Sequence, residues 1–188
     1  MEIGLYFGSF NPIHIGHCII ANHVRTHTPL QQVWLVVSPQ NPFKPAAGLL
    51  NEYDRLHLVK LAIEGVDGLQ ASDIEFHLPR PSYTIDTLTY LAEKFPRHAF
   101  SLIMGSDGYQ NIQKWKNAPV LLERYPVYVY QRPGFPVIPL NDKTRLVEAP
   151  LLDISATFVR QQVRESKDIR FLVPERVRQE IEANGYYK

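Results

Sequence analysis

The chain has 188 residues, 45% of them hydrophobic and 21% charged, with a formal net charge of +1. That length suffices for one sizeable core, and the near-neutral balance excludes a global field for nucleic acid or an anionic membrane, so any anion must be held by a local arrangement. The lone Cys18 excludes an internal disulfide framework and a cysteine metal site, and no apolar run nears the roughly 18 residues of a membrane span.

The first predicted strand, Ile3–Phe7, begins almost at Met1, so a signal peptide is not expected and a single cytoplasmic domain over residues 1–188 is. The strand runs into Gly8-Ser9-Phe10-Asn11-Pro12, and a helix predicted over Ile15–Thr26 opens on His14-Ile15-Gly16-His17. A strand ending in a small-residue turn exposes backbone N–H groups, and the helix start adds partial positive charge. Two imidazoles one turn apart can hold phosphate oxygens there. Gly16 costs helix stability, which implies a close approach at that point. Cys18 lies among Ile19, Ile20 and Ala21 and reads as a small buried hydrophobe.

A second strand, Val33–Val37, precedes the proline-rich segment Ser38 to Pro45, in which Lys44 is a mobile point charge suited to phosphate. A helix over Glu52–Glu64 and a strand over Leu69–Ile74 lead to Pro81-Ser82-Tyr83-Thr84, where Ser82 or Thr84 can cap a helix over Ile85–Phe95. The N–H groups of that helix start can receive a carboxylate. The strand Ala99–Met104 ends in Gly105-Ser106-Asp107, followed by a predicted helix Asp107–Trp115 and then Lys116. Asp107 can accept ribose hydroxyls or orient a magnesium-bound phosphate, and Trp115 offers a flat face to an aromatic ring.

The helix Pro119–Arg124 and the strands Val127–Gln131 and Thr144–Glu148 follow. A helix over Ala156–Glu165 then begins at Ile154-Ser155-Ala156-Thr157, with Arg160 in its first turns. Two hydroxyls and a guanidinium there form a phosphate site or a simple cap with a surface arginine. The last predicted helix is Glu175–Ala183. Strands apolar on both faces, alternating with helices, predict a doubly wound α/β domain with a mostly parallel sheet, residues 155–188 being its small helical C-terminal part.

His14-Ile15-Gly16-His17, set between a strand and a helix, resembles the signature of the T/HxGH nucleotidyltransferases, which includes the HIGH motif of class I aminoacyl-tRNA synthetases. Over nearly the whole chain the segments resemble, in order, bacterial nicotinate-nucleotide adenylyltransferases. That family's pattern is Gly-Thr-Phe-Asp-Pro-Ile-His-x-Gly-His, a proline-rich loop ending in lysine, Ser-Tyr-Thr-x-Asp-Thr-Leu, Gly-x-Asp with a later tryptophan, and Ile-Ser-Ser-Thr-x-x-Arg. Ser9, Asn11, Phe43 and Ala156 depart from it, as does Leu78-Pro79-Arg80, where Arg-x-Gly is usual.

The resemblance implies a Rossmann-like fold and transfer of the adenylyl group of ATP to nicotinate mononucleotide. It implies catalytic roles for His14, His17, Lys44 and Arg160. ATP would be bound by Gly8, Ser9, Phe10, His14, His17, Gly105, Asp107, Ser155, Thr157 and Arg160. The mononucleotide would be bound by Ser9, Phe10, Lys44, Tyr83, Thr84, Trp115 and Lys116. Magnesium is expected on the ATP phosphates with no dedicated protein metal site, the partners are small molecules, and a homo-oligomer is compatible with the sequence. Nicotinamide mononucleotide or phosphopantetheine as acceptor, or a non-catalytic nucleotide binder of the same fold, are the alternatives.

Overall fold

The computed structural model describes residues 1–39, 48–150 and 152–188. Six segments become strands: β1 Glu2–Gly8, β2 Gln32–Val37, β3 Leu69–Ser72, β4 Ala99–Gly105, β5 Val127–Tyr130 and β6 Thr144–Val147. They form one sheet in the order β3-β2-β1-β4-β5-β6, every neighbouring pair parallel. The order reverses between β1 and β4. In an open α/β sheet that reversal leaves a crevice beyond the carboxyl ends of the strands.

Period-two alternation along β2 shows how both faces are covered. Val33, Leu35 and Val37 face one cluster, which takes in Val24 of α1 (Ile15–His27), Leu58 of α2 (Glu52–Ile63), Val159 of α6 (Ala156–Arg164) and Ile181 of α7 (Glu175–Asn184). Trp34 and Val36 face the other, with Leu88 and Leu91 of α3 (Thr84–Lys94) and Leu121 of α5 (Ala118–Arg124). Each such aliphatic side chain withdrawn from water contributes roughly 1.5–3 kcal/mol before its ordering entropy is subtracted. The helices after residue 155 pack directly into the first cluster. No helix among the described residues is long and apolar enough to cross a membrane.

Two predicted elements are corrected. The helix expected over Asp107–Trp115 breaks into α4 (Ser106–Tyr109) and a 3-10 turn at Ile112–Lys114. The Asn111 side chain donates to the Asp107 carbonyl at 3.3 Å, which an unbroken helix would use for the Asn111 backbone N–H. That N–H bonds Gly108 instead, and the Tyr109 hydroxyl is held 2.7 Å from Thr144 Oγ1, 35 residues away. The strand expected to reach Ile74 stops at Ser72, whose hydroxyl accepts the Ile74 N–H, and Ile74–His77 is a 3-10 turn.

Candidate active site

The turn after β1 is fixed from its carbonyl side. Arg55, 1% exposed, reaches from α2 and donates through Nη1 to Ser9 O (2.5 Å) and Ser38 O (2.8 Å), through Nη2 to Pro39 O (2.9 Å) and through Nε to Leu50 O (2.8 Å). Arg160 Nη1 donates to Asn11 O at 2.6 Å. The Asn11 amide donates to Gly48 O at 2.9 Å and accepts the Leu50 N–H at 3.1 Å. An aspartate could make only the second of these bonds, so this departure from the family pattern has a purpose. Phe10 sits at φ 44°, in the left-handed region. Its ring lies over Gly8, where a Cβ would meet it at 2.9 Å.

The two imidazoles stack at 3.7 Å with 28° between their planes. The His14 backbone N–H donates to His17 Nδ1 at 3.2 Å, which puts the proton of neutral His17 on Nε2. A Cβ at Gly16 would lie 3.0 Å from His14 Nδ1, so the close approach implied by that glycine is made by the motif's own imidazole. Burial, helped by the Arg132 charge, pulls the His14 pKa down to about 4. At neutral pH His14 is therefore an uncharged ring, its Nδ1 buried against the first turn of α1, where its side chain and the His17 backbone N–H make one half of a capping box. One donor counted on at the helix start is spent, because the Ile15 N–H bonds Leu172 O at 2.9 Å.

Both rings line a cleft of about 380 Å³, open to solvent, whose far wall carries Tyr130, Arg132 and Ile154. Arg132 spans the ends of β4 and β5. Its backbone N–H donates to Ser106 Oγ at 2.8 Å, and its guanidinium lies 3.6 Å from the Asp107 carboxylate. At Gly105 a Cβ would come within 2.5 Å of Asp107 Oδ1 and 3.0 Å of Arg132 Cδ, so glycine lets these side chains close over the strand end. The Tyr6 and Tyr130 hydroxyls lie 3.0 Å apart, and burial pushes both phenols up, so both stay neutral. Sequence reasoning missed Arg55, Tyr130 and Arg132. For the last two the available signal was position: Tyr130 ends a parallel strand and Arg132 lies just beyond it.

On α6, Ser155 caps the helix by accepting the Phe158 N–H at 3.2 Å. Arg160 Nη2 lies 3.2 Å from Thr157 Oγ1. The structure thus joins Arg160 to the turn at Asn11, while Ser155 serves at least as a cap.

A second group forms where α3 begins. Lys116 Nζ lies 4.7 Å over the Tyr83 ring and 2.7 Å from Asp86 Oδ2. Trp115 and Tyr83 pack, partly buried, against the same core cluster. Neither Ser82 nor Thr84 caps α3: the cap position is Tyr83, with no side-chain bond, and Thr84 is the first helical residue. Ser82 is buried, and its hydroxyl faces the Glu75 carboxyl. Lys44 and Phe43 lie outside the described residues.

The cytidylyltransferase-like family model matches residues 5–162. A probable nicotinate-nucleotide adenylyltransferase of Cytophaga hutchinsonii is 51% identical, over 100% of this chain and 98% of that protein. Another, of Flavobacterium psychrophilum, is 47% identical over 100% of both. Among solved structures, Plasmodium falciparum nicotinic acid mononucleotide adenylyltransferase complexed with NaAD superimposes with a TM-score of 0.85, at 21% identity, over 99% of this chain and 97% of that one. The same enzyme complexed with APC gives 0.84 at 20% identity, over 99% and 96%. At that identity the likeness speaks for the fold.

Proposed function

The chain belongs to the cytidylyltransferase-like family and, within it, to the nicotinate-nucleotide adenylyltransferases, and on that premise we propose how its cleft transfers the adenylyl group of ATP to nicotinate mononucleotide. A phosphate oxygen of the mononucleotide attacks the α-phosphorus of ATP. The bond from that phosphorus to the bridging oxygen breaks, and pyrophosphate leaves with the electron pair. Chemistry of this kind is mostly alignment and charge stabilisation.

The stacked histidine pair at the sheet's reversal point carries the reading. His17 Nε2–H is a fixed donor for a non-bridging oxygen of the α-phosphate. Neutral His14, with its Nδ1 turned to the first turn of the helix, offers its Nε2–H to another phosphate oxygen. Gly8, Ser9 and Phe10 present backbone between the two reactants, in a turn whose carbonyls are already held. Lys44 and Arg160 neutralise the departing pyrophosphate, and Arg132 adds charge at the cleft wall. Gly105, Asp107, Ser155 and Thr157 frame the nucleoside side, while Tyr83, Thr84, Trp115 and Lys116 receive the pyridine ring and its carboxylate.

Among the described residues no group of three or more His, Cys, Asp or Glu could hold a metal. The reading takes magnesium to ride on the phosphates, with Asp107 the nearby carboxylate. Bound there, it supplies charge neutralisation. The setting we propose is the cytoplasm, with ATP and nicotinate mononucleotide as the small-molecule partners and a homo-oligomer compatible with the reading.

Pyrophosphate release with ATP and nicotinate mononucleotide tests the reading. The expected outcome is turnover, with kcat/KM higher than for nicotinamide mononucleotide or phosphopantetheine. His17→Ala should lower kcat by about 10²–10³ while ATP still binds. No release with any acceptor would make the chain a nucleotide binder, and near-normal kcat in the variant would remove His17 from the chemistry.

A further inference from the structure

Glu75 is the most deeply buried carboxylate among the described residues, 2% exposed, and the ATP chemistry has no use for it. It sits in the 3-10 turn after β3 and has no ion-pair partner among the described residues. Thr87 Oγ1 donates to its Oε1 at 2.9 Å, and the hydroxyls of Ser38 and Ser82 face the same carboxyl and favour its charged form. Burial raises the pKa of this carboxyl and the hydroxyls pull it back. Burying a carboxylate is expensive unless its lone pairs are filled, so a hydroxyl shell of this kind is retained at a cost.

The three hydroxyls come from two separate segments. Ser38 follows β2, beside the carbonyl that Arg55 also grips. Ser82 and Thr87 bracket Tyr83 and Thr84, the start of α3. We propose that Glu75 is a positioning residue for the pyridine mononucleotide: its carboxylate ties the Tyr83–Thr84 helix start to the carboxyl end of β2, and so sets where that uncapped start receives the substrate's carboxylate. The proposal rests on the adenylyltransferase reading. The start of α3 is uncapped: Tyr83 holds the cap position with no side-chain bond, and Ser82 before it is buried beside Glu75.

Steady-state kinetics of Glu75→Gln, Thr87→Val and Thr87→Ser decide it. An amide in place of the carboxylate forces at least one hydroxyl to turn from donor to acceptor, and Thr87→Val deletes one donor at nearly constant volume. Both should raise KM for nicotinate mononucleotide about tenfold, with kcat and KM for ATP within about twofold of wild type. The preference for nicotinate over nicotinamide mononucleotide should fall by the same factor, and Thr87→Ser should restore it. If Glu75→Gln does not fold, the two Thr87 variants carry the decision. A drop in melting temperature with both KM values and the preference unmoved, or a parallel rise for ATP, overturns the positioning role alone. A wild-type protein that does not turn over nicotinate mononucleotide overturns the adenylyltransferase reading, and this proposal with it.

Discussion

The turn after β1 and the start of α3 face the same carboxyl edge of the sheet, yet they are secured by different means. Around the turn, the carbonyls of Ser9, Asn11, Ser38 and Pro39 accept from Arg55 and Arg160, and the Asn11 amide fastens residues 48 and 50. Arg55 is wholly shut from water, so its bonds are unscreened and mutually reinforcing. At the start of α3 the visible tie is Lys116–Asp86, with side chains 45% and 48% exposed, and an exposed pair of that kind contributes little and weakens with salt. From within, that end is held by Ile85 and Leu88 in the core and by the Thr87–Glu75 bond. On the proposed reading the phosphate side is built before substrate arrives, whereas the end proposed for the pyridine ring has a buried carboxylate and a solvated rim.

Removing Arg55 should break this contrast most severely. Arg55→Met fills the volume but leaves the carbonyls of Ser9, Ser38, Pro39 and Leu50 buried without a donor. The expected loss is about 3–5 kcal/mol in chemical denaturation, with kcat falling alongside. Arg55→Lys keeps the charge but cannot spread donors over carbonyls in three segments, so it should recover less than half of that loss. A stability change under about 1 kcal/mol for Arg55→Met would mean that the turn is held by its own backbone.

Arg55 also marks where sequence reading ends. The inner strands β1, β2 and β4 were legible because each is a largely apolar run, buried on both faces in the middle of the sheet, while β3 and β6 at its edges are shorter and mixed. The doubly wound parallel sheet followed from their alternation with helices. His14, His17 and Gly16 were legible because their spacing and the flanking strand and turn are local. Arg55, by contrast, reads as one charge on a mixed helix, and its partners lie up to 46 residues away. Nothing near it in the chain announces burial. Likewise Ser82 looks like a cap, yet it is buried beside Glu75, seven positions earlier and on another element. The break at Asn111 was missed because a side chain displaced a backbone bond.

The histidine pair sharpens the comparison through pH. His14 titrates near 4 in the folded chain against 6.5 for an unperturbed imidazole. Between those values the unfolded chain binds a proton that the folded chain refuses, so stability is full above about pH 6.5 and falls as the pH drops towards 4. The loss accumulated by pH 4 approaches about 3 kcal/mol at 1.36 kcal/mol per unit. Denaturation of wild type and His14→Gln across pH 4–7 isolates it, since other groups cancel in the difference. A slope shared by both proteins would show that His14 is not the titrating site.

The smallest effect on stability is expected at the other end, and that is what makes it informative. Lys116→Ala removes an exposed pair with Asp86 and a contact with the Tyr83 ring, so the unfolding free energy should move by no more than about 0.5 kcal/mol. If Lys116 instead serves the substrate, KM for nicotinate mononucleotide should rise about fivefold, more than solvent-screened pairing with Asp86 can explain. Raising the salt should weaken wild-type affinity for the same substrate and leave the variant nearly unchanged. A variant that unfolds readily but binds normally would reverse the contrast. The pyridine end would then be the rigid one, and Lys116–Asp86 would be its structural tie.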